Sequence, residues 1–320
     1  MIEAPQPVPL RIVISGRARP SLPREIKEIA PEADVVLVEE KDLDGAVDEA
    51  EIVATVRLSS AALQRARRLK WVQSWAAGPN AILHDAMRRS PVMVTSCRGN
   101  GAIPLAEHAI MLMLMLARQA PRLMAAQSAR RWEKLNIDEL AGRTCGIIGT
   151  GYSGTDLARK AKSFDMRVIG LRRRSLPADH FDRVFTPEAL LDFLSQSDVV
   201  VVSAALTDQT KGMLGEREFR AMKPTAHYIC FSRGAIADPG ALERALREKW
   251  IAGAGLDAHA VEPLPPDSPF WSLPNVIVTP HIGAVSPQTI DRGNDIFLEN
   301  LRRYRSRQPL INVVDKNAGY

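Results

Sequence analysis

Residues 145–154 read Cys-Gly-Ile-Ile-Gly-Thr-Gly-Tyr-Ser-Gly, an apolar run followed by glycines in GxGxxG spacing. The apolar run predicts a strand, and the helical pattern over 155–164 predicts that the glycines join this strand to a helix. Gly149 then permits a tight turn, Gly151 lets a pyrophosphate approach the backbone, and Gly154 lets the helix pack closely on the strand. The free N–H groups at the start of the helix attract phosphate.

This stretch therefore predicts a dinucleotide-binding turn. An ordinary strand-to-helix turn that happens to be rich in glycine is the competing interpretation. The predicted cofactor-binding residues of the turn are Gly149, Thr150, Gly151, Tyr152, Ser153 and Gly154.

A basic segment follows the next predicted strand, residues 167–170. Arg172, Arg173 and Arg174 stand there, about 20 residues after the glycines, where an NAD site usually places an acid for the ribose 2′-hydroxyl. Guanidinium groups suit a 2′-phosphate instead, because they are permanently charged and donate paired hydrogen bonds. The sequence therefore predicts a preference for NADP(H), with NAD(H) still possible. If the arginines only form a solvated basic loop, both cofactors would bind comparably.

Strand and helix patterns alternate along the chain. Helical patterns lie between the early strands at 23–30 and 61–68, a long apolar helix is expected at about 103–119, and another helix runs from 287 to about 305 before an apolar run at 310–314. Such alternation predicts parallel sheets covered by helices. The predicted strands are 11–15, 35–38, 52–56, 71–75 and 92–95, then 145–148, 167–170, 199–203, 226–231, 253–256 and 276–279.

The fold class expected from this rhythm is α/β with two domains. The six strands after residue 144 fit a Rossmann-type doubly wound parallel sheet, and the five before residue 100 fit a smaller, flavodoxin-like α/β substrate domain. The simplest arrangement returns the C-terminal tail to the first domain. Residues 1–101 with 287–320 then form the substrate domain, and residues 102–286 form an inserted dinucleotide-binding domain.

Composition argues against several other classes of protein. The 42 basic and 37 acidic residues are interspersed, so the net charge of +5 does not indicate nucleic-acid binding. No apolar stretch reaches the roughly 18 residues of a membrane span, and residues 1–10 do not resemble a signal peptide. Cys97, Cys145 and Cys230 are too widely spaced for a disulfide framework or a zinc site, so no metal is expected. A reducing cytoplasm is the expected location.

Three complementary side chains follow predicted strands in the second half of the chain. Reduction of a 2-oxo acid needs a cation for the carboxylate and an acid that protonates the carbonyl oxygen as hydride arrives. A guanidinium grips a carboxylate, and an imidazole exchanges a proton near neutral pH. Arg233, Glu262 and His281 each come just after a strand, where open α/β sheets bind ligands. They are the predicted catalytic residues, with Glu262 stabilising the charged form of His281.

Several segments, in their order and spacing, resemble the D-isomer-specific 2-hydroxyacid dehydrogenase family from the first strands to the C-terminus. Together they are far more specific than any one of them alone. The matching segments are Ala106-Glu107-His108, Gly149 to Gly154, Ser232-Arg233-Gly234, Gly253 to Asp257, Glu262-Pro263 and Thr279-Pro280-His281-Ile282-Gly283.

The resemblance implies a role for each of these residues. Arg233 would orient the 2-oxo acid, His281 would act as general acid and base, and Glu262 would pair with His281. Asp257 would hold the nicotinamide carboxamide. The substrate carboxylate would also meet backbone N–H groups of the loop Trp75-Ala76-Ala77-Gly78.

The resemblance also bears on substrate and assembly. NADP-preferring relatives suggest glyoxylate and hydroxypyruvate as the first substrates to try, and the loops around Arg57 and Trp75 are expected to decide the choice. A homodimer built around the cofactor domain is expected. The chain departs from the family where Arg172 replaces a frequent Asp, which favours NADP(H). Cys230 in place of Asn and Ala205 in place of Pro remove no reacting group.

Two other functions remain open on the same fold. Dinucleotide-sensing corepressors can keep the catalytic trio, although the long disordered tails expected of them are not evident here. A formate- or phosphite-type dehydrogenase would need a different set of side chains around its substrate. Within the site, His259 is the alternative catalytic imidazole, whereas Glu107 and His108 are expected to hold the domain junction.

Overall fold

The computed structural model describes residues 9–174 and 176–319, which form two compact units. The smaller unit comprises residues 9–100 and 286–319, and the larger unit comprises the described residues between 101 and 285. Each unit is built on a parallel β-sheet with apolar cores on both of its faces. Both are of the α/β class that the alternating sequence pattern predicts.

The described strands form a five-stranded and a seven-stranded sheet. The smaller unit contains β1 (Arg11–Ser15), β2 (Asp34–Val38), β3 (Ile52–Thr55), β4 (Trp71–Ser74) and β5 (Met93–Ser96), in the order β2-β1-β3-β4-β5. The larger unit contains β6 (Thr144–Ile148), β7 (Arg167–Leu171), β8 (Arg183–Phe185), β9 (Val199–Val202), β10 (His227–Cys230), β11 (Gly253–Leu256) and β12 (Val276–Val278), in the order β12-β11-β10-β9-β6-β7-β8.

Helices connect these strands. They are α1 (Leu22–Ile29), α2 (Leu43–Ala46), α3 (Ser60–Arg65), α4 (Asp85–Arg89), α5 (Ala102–Ala117), α6 (Ala120–Ser128), α7 (Tyr152–Lys162), α8 (Leu190–Gln196), α9 (Glu216–Ala221), α10 (Pro239–Arg247) and α11 (Pro287–Arg305). Among the described residues no single helix is long and apolar enough to cross a membrane, although the bent pair α5 and α6 together would pass on length and composition.

The larger sheet is buried on both faces, and β9 shows why. Its four valines alternate, so that Val199 and Val201 face the core under α5 and α7, while Val200 and Val202 face the core under α8, α9 and α10. A strand buried on both faces has no polar side to show, which explains the unbroken apolar run in the sequence. The chain therefore winds helices onto both faces, as in a doubly wound sheet.

The sequence analysis predicts six strands in this sheet, and the structure has a seventh. The additional strand is β8, which pairs with the outer edge of β7. It is only three residues long, and Val184 and Phe185 are its only apolar residues, too few to show a periodicity. The strand order reverses direction between β6 and β9, and ligands of such sheets bind beyond the carboxyl ends of the strands at that switch point.

The C-terminal helix α11 completes the smaller unit. Phe297, Leu298 and Leu301 on this helix are buried against the sheet, and the ring of Trp71 on β4 stacks on Phe297 with centroids 5.4 Å apart. Burial of each such side chain contributes about 2 kcal/mol. Packing of this extent explains why the tail, remote in sequence, belongs to the same unit as β1 to β5.

Candidate active site

The glycine-rich turn lies between β6 and α7, at the switch point of the larger sheet. Gly149 has φ +98°, a conformation that favours glycine. A Cβ on Gly154 would lie 2.0 Å from the carbonyl oxygen of Gly149, so the helix packs on the turn only without a side chain there. A Cβ on Gly151 would meet no described atom within 4 Å. The fold needs two of these glycines, whereas the space at Gly151 is open, as a predicted pyrophosphate contact requires.

The basic segment begins beside this turn. A Cβ on Gly170, near the end of β7, would lie 2.7 Å from the Thr150 side chain, so β7 ends against the glycine turn. Arg172 follows β7 directly, and its N–H donates to the carbonyl of Phe185 on β8 at 3.0 Å. Arg172 is half-buried, and Arg173 and Arg174 are exposed. The structure thus places the predicted 2′-phosphate ligands at the neighbouring strand end, and their role stays a prediction.

His281 and Glu262 lie together at the carboxyl edge of the same sheet. The Nδ1 atom of His281 is 2.8 Å from Oε2 and 2.9 Å from Oε1 of Glu262. Burial opposes ionisation of Glu262, but the N–H of His259 and the ring of His281 outweigh it and hold the pKa of Glu262 below its ordinary value. The carboxylate is therefore ionised at neutral pH, and because it can only accept, Nδ1 donates.

The backbone of His281 is itself unusual. Its φ of +54° lies in the left-handed region, which costs a residue with a side chain about 1–2 kcal/mol. Such strain persists only where surrounding contacts hold it, and it concentrates at functional sites. This conformation of His281 cannot be read from the sequence.

Arg233 follows β10, on a loop that packs against the segment leading to Glu262. A Cβ on Gly234 would lie 2.1 Å from the carbonyl carbon of His259 and 2.4 Å from the N of Ala260. The two loops therefore touch backbone to backbone, and only glycine permits the contact. The half-buried Arg233 donates through Nη1 to the carbonyl of Ser232 at 2.7 Å. All three predicted catalytic residues thus come from loops at one edge of one sheet.

His259, the alternative imidazole, is engaged in holding this edge together. Its backbone N–H donates to Glu262 Oε1 at 2.9 Å, and its Nε2 donates to the carbonyl of Thr279 at 3.0 Å. Both contacts tie the Glu262 segment to the loop of His281. This use of the ring favours a structural role for His259 over a catalytic one.

Asp257 is fully buried and binds the loop of His281. Its Oδ1 accepts from Thr279 Oγ1 at 2.6 Å and from the N–H of Ile282 at 3.0 Å, and its Oδ2 accepts from the N–H of Gly283 at 2.9 Å. The predicted contact with the nicotinamide carboxamide stays a prediction. The structure shows that the carboxylate already organises the chain on either side of His281.

His108 has partners that the sequence analysis does not predict. Its Nε2 lies 3.0 Å from Thr279 Oγ1 and 3.4 Å from Asp257 Oδ1, both in the larger unit. The role at the domain junction that the sequence analysis assigns to Glu107 and His108 stays a prediction. Helix α5 is apolar nearly all round, so its hydrophobic pattern does not predict which residues His108 contacts. Glu107 is exposed.

In the smaller unit, some backbone N–H groups of the predicted carboxylate-binding loop are already hydrogen-bonded within the protein. The N–H of Trp75 donates to the carbonyl of Thr55 at 3.0 Å, and the N–H of Ala76 donates to Ser74 Oγ at 3.2 Å. Both amides thus already have an acceptor within the protein, and their contact with a substrate carboxylate stays a prediction. The N–H groups of Ala77 and Gly78 donate to no acceptor among the described residues, and for them it stays a prediction.

The side chains near that loop also divide into two kinds. Trp75 is 2% exposed, packs on Phe297 and donates from Nε1 to the carbonyl of Ser15 at 3.0 Å, so its ring is part of the core. Arg57 is exposed beyond the end of β3, and its N–H donates to Thr55 Oγ1. The predicted part of both residues in substrate binding stays a prediction, with the Arg57 side chain exposed and the Trp75 ring buried.

The three cysteines are buried and free. Burial raises the pKa of Cys97 and of Cys145 to about 12, and that of Cys230 to about 11. A thiolate is the reactive form of cysteine, so these thiols are inert at neutral pH. Cys230, although at the end of β10, takes no part in the chemistry.

The chain is similar to known proteins in both sequence and structure. Residues 110–283 match the family model described as D-isomer specific 2-hydroxyacid dehydrogenase, NAD binding domain. The glyoxylate reductase of Korarchaeum cryptofilum is 33% identical over 303 residues, which cover 91% of this chain and 89% of the relative.

Solved structures agree as well. A D-isomer specific 2-hydroxyacid dehydrogenase family protein from Aeromonas salmonicida superposes with a TM-score of 0.88 at 31% identity, over 97% of this chain and 100% of that one. An NADPH-dependent glyoxylate/hydroxypyruvate reductase from Sinorhizobium meliloti, solved with NADP and sulfate, superposes with a TM-score of 0.84 at 26% identity, over 97% and 100%.

Fold and site thus define a nicotinamide-dinucleotide-binding oxidoreductase with a Rossmann-type domain. The chain belongs to the D-isomer specific 2-hydroxyacid dehydrogenase family.

Proposed function

We propose that this chain is an NADP(H)-dependent reductase of a small 2-oxo acid of the glyoxylate or hydroxypyruvate type. The observation that carries the proposal is the His281–Glu262 pair, an imidazole held by an ionised carboxylate at the sheet edge that also bears the glycine turn. The glyoxylate reductase from Korarchaeum and the NADPH-dependent reductase from Sinorhizobium support the choice of substrate and cofactor.

The residues divide the work by their chemistry. Bound NADPH would supply the hydride. Arg233 binds the substrate carboxylate through two parallel hydrogen bonds and so orients the carbonyl group. Because Nδ1 of His281 is engaged by Glu262, Nε2 is the nitrogen that protonates the carbonyl oxygen. The ionised Glu262 accepts the hydrogen bond from Nδ1 and so holds the ring in place during this transfer. In the reverse direction neutral His281 takes the proton from the hydroxyl group.

The smaller unit contributes binding groups in this proposal. The open amides of Ala77 and Gly78 are assigned to the substrate carboxylate, and Arg57 to substrate selection. Asp257 is assigned to the nicotinamide carboxamide through Oδ2, which accepts from the N–H of Gly283 and can accept one more hydrogen bond. The glycine turn is assigned to the pyrophosphate because the space beside Gly151 is open: a Cβ there would meet no described atom within 4 Å.

The experiment that tests the proposal follows oxidation of NADPH and of NADH with a panel of 2-oxo acids. We expect saturable, substrate-dependent oxidation with glyoxylate or hydroxypyruvate and a higher kcat/KM for NADPH. If the folded protein binds a nucleotide but reduces no 2-oxo acid, the proposed reaction is wrong. Formate and phosphite are tested with NADP⁺ by following formation of NADPH, which would indicate one of the alternative dehydrogenases.

The cofactor preference has a direct test at Arg172. Replacing Arg172 with Asp puts a negative charge where a 2′-phosphate would bind, so the NADPH/NADH ratio of kcat/KM should fall at least about tenfold, since one charge-assisted hydrogen bond contributes about 1.5–3 kcal/mol. Arg167→Asp makes the same change at the start of the same strand and should leave the ratio unchanged. An unchanged ratio in the Arg172 variant would refute the 2′-phosphate assignment.

We also propose a homodimer formed through the larger unit, in the cytoplasm. Large apolar side chains are exposed on and after α5 and α6: Met111 at 40%, Met124 at 60% and Trp132 at 94%. Exposed apolar patches of this kind mark interaction surfaces. Light scattering should give twice the mass of the chain, and a monomer at micromolar concentration would contradict the assembly. The buried free thiols suit a reducing compartment.

A further inference from the structure

The loop that carries His281 is anchored on both of its sides by one buried carboxylate. Asp257 accepts from the Thr279 hydroxyl before His281 and from the N–H groups of Ile282 and Gly283 after it. A Cβ on Gly283 would lie 2.8 Å from Asp257 Oδ2 and 3.3 Å from the ring of His108, so the loop lies against both side chains. The left-handed backbone at His281 sits in the middle of these contacts.

The directions of these hydrogen bonds are determined by elementary rules. The Thr279 hydroxyl has one hydrogen, and it donates this hydrogen to Asp257 at 2.6 Å. Its oxygen can therefore only accept from His108 Nε2, 3.0 Å away. Burial, opposed by the charge of Asp257, lowers the pKa of His108, so the ring is neutral at neutral pH. A neutral ring has one N–H, and here Nε2 must carry it.

We propose that His108 and Thr279 are positioning residues for the reaction: the chain of hydrogen bonds from His108 through Thr279 to Asp257 holds the 279–283 loop so that the imidazole of His281 meets Glu262 and presents Nε2 to the substrate. This inference rests on the proposed role of His281. His108 reaches the loop from α5, and Thr279 directly follows β12, so the network joins two elements that are far apart in sequence. Neither residue touches substrate or cofactor in this assignment.

The kinetic test compares Thr279→Val with Thr279→Ser. Valine keeps the shape but removes the hydroxyl, so kcat for 2-oxo acid reduction should fall about tenfold or more while the KM for NADPH stays within about twofold, as expected for a misplaced proton donor. Serine keeps the hydroxyl and should restore most of the loss. His108→Phe removes only the outer donor and should cause a smaller fall in kcat.

The matched control is Thr144→Val. Thr144 is a buried threonine in the same unit, but it begins β6 and so lies at the opposite edge of the sheet. The Thr144→Val variant should lose some stability at most, and its kcat should stay near that of the unchanged protein. Equal losses of kcat in the Thr144 and Thr279 valine variants, or a serine variant no better than valine, would overturn the inference.

A structural measurement separates this inference from the proposed function. Amide hydrogen exchange at Ile282 and Gly283 should quicken about tenfold or more in Thr279→Val, since both N–H groups donate to Asp257, and should not change in Thr144→Val. This readout needs no substrate. If no 2-oxo acid is reduced by the unchanged protein, the proposed function fails while exchange still decides the positioning role. Unchanged exchange together with unchanged kcat in Thr279→Val would overturn the inference.

Discussion

Replacing His281 with alanine is expected to lower kcat for 2-oxo acid reduction by about 10³-fold, the typical contribution of a positioned general acid. In the proposed reaction the imidazole protonates the carbonyl oxygen. Glu262 cannot replace it as the acid, because its carboxylate is ionised and has no proton to donate. Affinity for NADPH should stay near normal, since the glycine turn is formed by other residues. Steady-state kinetics and a fluorescence titration with NADPH measure the two quantities.

His180→Ala is a suitable control for this change. His180 is an exposed imidazole in the same unit, outside the loops that carry Arg233, Glu262 and His281, and its replacement removes the same ring. Its kcat should be unchanged. A His281 variant that keeps more than about a tenth of the normal kcat would exclude His281 as the general acid, given the size of that contribution.

The second large effect is expected at the glycine turn, where two substitutions should behave differently. Gly154→Ala puts a Cβ about 2.0 Å from a backbone oxygen of Gly149, so the turn or the helix must shift. We expect NADPH binding to be lost and the melting temperature to fall. Gly151→Ala meets no described atom within 4 Å, so stability should be kept. If a pyrophosphate approaches Gly151, its affinity for NADPH should still fall about tenfold or more.

Gly45→Ala provides the control for the alanine substitution itself, because a Cβ there also meets nothing within 4 Å, and the residue lies in the smaller unit. Thermal unfolding and NADPH titration of the three variants suffice. Normal NADPH affinity in Gly151→Ala would show that the phosphates do not pass this residue, and the turn would then need another explanation.

Much of the fold was predictable because it depends on burial. Strands covered on both faces must be apolar throughout, as the four valines of β9 are, and such runs stand out in a sequence. The short edge strand β8 was missed because two apolar residues make no pattern. Sequence periodicity reports which residues are buried, and an edge strand buries few.

The site was predictable only as far as strand ends determine it. Arg233, Glu262 and His281 each follow a strand, and parallel strands end at one edge, so their convergence on one side of the sheet could be expected. Residue types do not show which backbone amides already donate within the protein, as those of Trp75 and Ala76 do. The partner of His108 depends on how α5 packs, which an apolar helix does not reveal.

The most direct test of the account is a crystal structure of the protein with NADP⁺ and oxamate, an unreactive analogue of a 2-oxo acid. We expect His281 Nε2 at about 2.6–3.2 Å from the oxygen that stands for the carbonyl, with Nδ1 still on Glu262, and Arg233 paired with the carboxylate through both terminal nitrogens. A complex in which the analogue binds elsewhere, or in which His281 faces away from it, would contradict the proposed chemistry.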